Sequence, residues 1–111
     1  MRNANVFVDV DLTLVDATGR LLDGARPALA RLRDAGCHLF LWSSVGADYA
    51  RSVAERHALT EFFEGFSAKP DIVIDDMPGT TRAPFNYAVD APYGWEELAD
   101  QIIAKHVDRP S

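Results

Sequence analysis

The sequence predicts an α/β domain built on a small, mostly parallel sheet with helices on both faces. Apolar runs of strand length recur at residues 5–10, 37–42 and 71–74, and stretches of helical spacing alternate with them. Each run also closes on residues able to do chemistry: Asp9 with Asp11, Ser43, and Asp75 with Asp76. In open parallel sheets ligands bind beyond the carboxyl ends of the strands, so these residues share one expected location.

Residues 5–10 read as a buried strand of Val and Phe. Ala17-Thr18-Gly19-Arg20 can turn back on itself, flanked by Leu14-Val15 and Leu21-Leu22 as a small hairpin. A helix follows Asp23-Gly24: Pro27 suits its first turn, Ala28, Leu29, Leu32 and Ala35 make its apolar stripe, and Gly36 stops it. Residues 37–42 give the second strand, and residues 47–59 a helix with Tyr49, Ala50, Val53, Ala54 and His57 on one side. Phe62 to Phe66 is either an edge strand or a crossover. Asp71-Ile72-Val73-Ile74 is a strongly apolar, buried strand, and a short extended piece near residues 87–89 can add another. The last helix carries Trp95, Leu98, Ala99, Ile102, Ile103 and His106 as its stripe, with Glu96 and Glu97 in its first turn and Lys105 in its last.

At 111 residues the chain fits one domain with a single core. A net charge of −6 disfavours nucleic-acid and anionic-membrane partners, which select a basic face. The first apolar run is too short to span a membrane, and no signal-peptide pattern precedes it, so the cytoplasm is the expected compartment. Cys37 is the only cysteine, which removes disulfides and thiolate metal cages from consideration.

On a strand, residues i and i+2 share a face, so Asp9 and Asp11 start out pointing the same way. Adjacent carboxylates repel unless a cation or a shared proton lies between them. If the strand ends converge, their carboxylates suit Mg2+, a hard cation that takes oxygen ligands and keeps waters for a phosphate substrate. One Asp can then attack phosphorus in line while its neighbour two residues on handles the leaving group's proton. Ser43 offers a hydroxyl before a helix start, and Lys69, one of two lysines in the chain, offers a point charge for phosphate.

The order Asp9-Val-Asp11-Leu-Thr13, then Leu39-Phe-Leu-Trp-Ser43, then Lys69, then Ile72-Val-Ile-Asp75-Asp76 resembles the four motifs of the haloacid dehalogenase superfamily of phosphohydrolases. The resemblance covers residues 5–79 and implies a three-layer, Rossmann-like sandwich. It implies Asp9 as nucleophile, Asp11 as general acid/base, and Thr13, Ser43 and Lys69 as phosphate-binding residues. Mg2+ would be held by Asp9, the main-chain carbonyl of Asp11 and Asp76 with Asp75 in support. Dehalogenases of the family lack the second Asp, so Asp11 points to phosphoryl chemistry. The chain leaves no room for a cap domain, which implies an open site, for a phosphate on a macromolecule or a substrate closed in by a neighbouring subunit. Lys69 also follows the Phe-rich segment too closely for a helical crossover, so the sheet is expected to be pruned at that edge unless Phe62 to Phe66 is itself the crossover.

Two rivals fit less well. A receiver domain places its phosphoacceptor Asp mid-chain and its Lys late, an order this sequence reverses. A dinucleotide-binding domain needs a Gly-rich turn after the first strand, and none is present. A phosphate- or protein-binding domain of the same fold with little turnover is the alternative to an enzyme.

Overall fold

Parallel neighbours cannot be joined by a tight turn, so the chain must travel back along the sheet between its first two strands. In the computed structural model, which describes residues 2–77, 79, 82–89 and 94–107, it does so with one small hairpin and one helix. Strand β1 (Asn5–Asp9) runs into the hairpin, where Val15 bridges Leu21 and the Leu22 N–H donates to the Leu14 carbonyl at 3.0 Å. Helix α1 (Ala25–Asp34) returns the chain to β2 (His38–Ser43). Helix α2 (Ala47–Arg56) and a 3-10 turn (Thr60–Phe62) lead to β3 (Phe63–Ala68). The three strands pair in parallel in the order β1-β2-β3. The Phe-rich segment is thus the edge strand rather than a crossover.

Alternation sends Val6, Val8, Leu39 and Leu41 to one sheet face. There they pack with Val10, Leu29 of α1, Ala50, Val53 and Ala54 of α2, and Leu59, Phe62 and Phe63. Phe7, Phe40 and Trp42 occupy the other face, with the Phe7 ring 4.9 Å from Phe40 and 4.9 Å from Trp42. Within this unit the two helices serve one face, where helices on both were expected.

Backbone caps fix the helix ends. Gly36 sits at φ 95°, its N–H donating to Arg33 O at 2.9 Å while the Cys37 N–H donates to Leu32 O at 3.0 Å, a Schellman stop at the expected glycine. Helix α2 ends the same way but earlier than residue 59: Ala58 takes φ 56°, and the Ala58 and Leu59 N–H groups donate to Glu55 O and Ala54 O. Left-handed Ala costs roughly 1–2 kcal/mol, offset by burial of Leu59 and by Arg26, whose guanidinium donates to the His57 and Ala58 carbonyls. The stripe expected on α1 is only partly a core face. Leu29 is buried, whereas Ala28, Leu32 and Ala35 line an open groove with Arg31.

The chain divides into two compact units, Met1–Lys69 and Pro70–Ser111. In the second, β4 (Ile72–Ile74) pairs in parallel with β5 (Phe85–Tyr87), so the described strands form two sheets. Only Lys69, Pro70 and Asp71 separate β3 from β4, too few to carry a parallel strand back across a sheet. A two-stranded sheet also buries less: Ile72 and Val73 are half-buried and Ile74 is exposed, contrary to the buried strand expected. Helix α3 (Gly94–Ile102) continues into a π-helical turn (Ile103–Val107). Of its expected stripe, Leu98 is buried, Ile102 and His106 are half-buried, and Ala99, Trp95 and Ile103 are exposed. The His106 ring lies 4.4 Å from Phe85, and its Nε2 shares a 2.6 Å hydrogen bond with the Tyr87 hydroxyl. No described helix is long and apolar enough to cross a membrane.

Leu41→Ala, which hollows the centre of the three-stranded core, is expected to lower stability by about 2–5 kcal/mol. Leu32→Ala, on the open groove, should stay within about 0.5 kcal/mol. Urea denaturation of the two variants checks both.

Candidate active site

Strand register decides what gathers at the carboxyl end of the first sheet. Asp9 is the last residue of β1 and lies opposite Trp42, one residue before Ser43. The β2–β3 ladder shifts by one residue between Leu39 and Phe40, so that Phe40 pairs with Gly65, Trp42 with Ser67 and Ser43 with Ala68. This bulge at Glu64 changes the face of every later side chain of β3. Phe66 then faces the core with Leu41, and Lys69, two residues past Ser67, falls on the face of Trp42 and Asp9. A Cβ at Gly65 would stand 3.1 Å from the Phe40 ring, a tight contact that glycine avoids.

The ladder continues one bond past β3, where the Lys69 N–H donates to the Ser43 carbonyl at 3.0 Å. From there Lys69 Nζ reaches Asp9 Oδ1 at 3.1 Å and lies 5.9 Å from the centre of the Trp42 ring. The Thr13 hydroxyl donates to Asp9 Oδ2 at 3.3 Å. Both oxygens of Asp9 are therefore held, one by charge and one by a hydroxyl. The Lys69 and Asp9 side chains are 37% and 33% exposed, so the pair orients the carboxylate and adds no more than about 1 kcal/mol of stability.

Thr13 owes its position to a tight turn after β1. Leu12 takes φ 61°, and the N–H groups of Thr13, Leu14 and Val15 all point to the Val10 carbonyl, at 3.4, 2.9 and 3.2 Å. A left-handed leucine is strained, and such residues cluster at functional sites. Asp11, at the neck of this turn, is exposed, and its Oδ1 accepts a 2.7 Å hydrogen bond from the Tyr49 hydroxyl of α2. That bond, followed by burial, pushes the Tyr49 hydroxyl above the usual phenol value, so Tyr49 stays protonated and donating.

Ser43 is 1% exposed. Its Oγ accepts the Val45 N–H at 3.1 Å and its carbonyl accepts the Gly46 N–H at 3.2 Å. Ser43 therefore braces the turn before α2 rather than capping the helix, whose N-cap is Gly46. As an acceptor in that contact, the hydroxyl keeps its proton for a donated bond.

The structure thus brings Asp9, Thr13 and Lys69 into direct contact and ties Ser43 to Lys69 through the backbone. Asp75 and Asp76 belong to the second unit. There the Asp75 N–H donates to Tyr87 O at 2.9 Å and the Met77 N–H donates to Asp75 Oδ1 at 3.0 Å. The Met77 N–H, then the Asp76 side chain, hold Asp75 below the usual carboxylate value. Among the described residues no three Asp, Glu, His or Cys side chains gather as a metal cage. The carboxylates nearest the end of β1 are Asp9, held by Lys69 and Thr13, and Asp11, held by Tyr49.

Sequence reasoning treated Tyr49 as part of a packing stripe and missed its contact with Asp11. A tyrosine on a core-facing helix reads as packing, and only the register of α2 against the strand end shows where its hydroxyl goes. Asp16 proves to be the cap of the hairpin: its Oδ1 accepts the Thr18 hydroxyl at 2.6 Å and the Thr18 and Arg20 N–H groups at 2.9 and 3.0 Å.

The Thr18 hydroxyl and the Arg20 N–H, the two leading causes, hold the Asp16 carboxyl below the usual carboxylate value. A depressed value means that the stabilisation is present above about pH 4 and is lost as pH falls through the folded-state value. The protection factors of the Thr18 and Arg20 amides, corrected for the pH dependence of intrinsic exchange, are therefore expected to fall on acidification and in Asp16→Ala, while those of Leu41 and Val53 hold.

Comparison of the chain with protein-family models, with curated proteins and with solved structures found no match.

Proposed function

We propose that the chain is a capless, Mg2+-dependent phosphomonoester hydrolase of haloacid dehalogenase type. The observation that carries the reading is the Asp9 carboxylate at the end of β1, held by Lys69 and Thr13, with Asp11 two residues on and buried Ser43 ending the adjacent strand.

In this reading Asp9 attacks phosphorus, the bond to the ester oxygen breaks, and Asp11 gives its proton to the departing alcohol. Asp11, now a carboxylate, takes a proton from water as that water attacks the aspartyl-phosphate, releasing phosphate and restoring Asp9. Lys69 and the hydroxyls of Thr13 and Ser43 supply charge and hydrogen bonds to the phosphoryl oxygens. Mg2+, held by the Asp9 carboxylate and the main-chain carbonyl of Asp11, would neutralise phosphate charge. With no cap, the site suits a phosphate presented by a macromolecule, or a small one enclosed by a second subunit.

The test is hydrolysis of 4-nitrophenyl phosphate with and without Mg2+. Turnover is expected to require the metal and to fall on the order of a thousandfold or more in Asp9→Asn. Lys69→Ala is expected to raise KM for the phosphate ester. Binding of Mg2+ and inorganic phosphate without turnover would favour the binding-domain alternative, and failure to bind either would overturn the site.

A further inference from the structure

The general acid/base of the proposed reaction has a support that the motif pattern does not contain. Asp11 is exposed and stands next to left-handed Leu12, so its backbone leaves the carboxylate's direction to side-chain contacts. The Tyr49 hydroxyl meets Asp11 Oδ1 at 2.7 Å across a separation of 38 residues. Tyr49 packs against the core, and the next residue, Ala50, is fully buried with Val53 and Ala54 on the same helix. The hydroxyl is therefore delivered from a rigid element whose position the core sets.

The geometry points to Tyr49 as the positioning residue for Asp11, fixing which carboxylate oxygen faces the leaving group. A donor on Oδ1 occupies that oxygen and leaves Oδ2 to carry the proton that is passed to the ester oxygen. The inference rests on the reading of Asp11 as general acid. It makes a demand that packing alone does not: Tyr49 matters in proportion to how much the leaving group needs a proton.

The experiment compares wild type and Tyr49→Phe on aryl phosphates running from 4-nitrophenyl to unsubstituted phenyl, whose leaving groups need increasing protonation. The variant is expected to lose roughly tenfold or more in kcat/KM, which reports phosphoryl transfer from the ester and not the later hydrolysis, on phenyl phosphate and distinctly less on 4-nitrophenyl phosphate. In an Asp11→Asn background the same substitution should add no further loss, because its effect passes through Asp11. An equal loss on every substrate, or an additive loss in the double variant, would assign Tyr49 to packing and overturn the inference while leaving the phosphatase reading intact. A wild type inert on the whole series would overturn both.

Discussion

The central place of β2 is the constraint on which the first unit depends. Its two ladders bury Leu39 and Leu41 completely and bring three strand ends into line. Asp9 and Lys69 stand on opposite sides of it, two strand spacings or about 10 Å apart along the ladder. A long side chain is needed to close that span, and Lys69 crosses the Trp42 ring to do so. Trp42 is thus a floor for the ion pair rather than only a strand aromatic. A register slip of one residue in either ladder would turn Asp9 or Lys69 to the other face and separate them.

Much of this was legible in the residues. The first two strands, the two helices of the first unit, the hairpin between Leu14 and Leu22 and the stop at Gly36 follow from patterns short enough to read locally. Thr13 and Lys69, which lie against Asp9, stand out in the sequence as phosphate-binding residues, Thr13 through the motif resemblance. What escaped was set by tertiary packing. The apolar stripe of α1 looks like one face, yet the sheet takes Leu29 and leaves Leu32 outside, because a helix on a three-stranded sheet has only one line of contact to fill. Leu59 extended the periodicity of α2 by filling the hydrophobic position of a Schellman cap, which the helix does not reach. The bulge at Glu64 has no composition signal beyond Gly65, and Tyr49 disguised a directed hydroxyl as packing.

The short link after β3 explains why local legibility did not extend to the sheet as a whole. Of the two segments around it, Ile72–Ile74 reads as a strand while the Phe-rich one reads as either edge strand or crossover, and both pair in parallel. Strand identity is a property of a few residues. Strand neighbourhood depends on how much chain is available to travel, and three residues cannot supply a parallel crossover. The spacing of Lys69 from the Phe-rich segment already carried that information, and its consequence is a second sheet with less burial on Ile74.

Charge completes the logic of the site. Asp9 and Asp11 bring two negative charges to the end of β1, Lys69 returns one positive charge, and Tyr49 is neutral, leaving the cluster net negative in a chain that is itself −6. At an effective dielectric of about 20, two unit charges 4 Å apart interact by about 4 kcal/mol. On the proposed reading, a dianionic phosphate drawn beside Asp9 would meet a repulsion of that order that Lys69 alone does not cancel. Oxygen donors such as the Asp9 carboxylate are the kind that Mg2+ selects. On that reading, a divalent cation would offset the repulsion that comes with using Asp9 as a nucleophile beside Asp11.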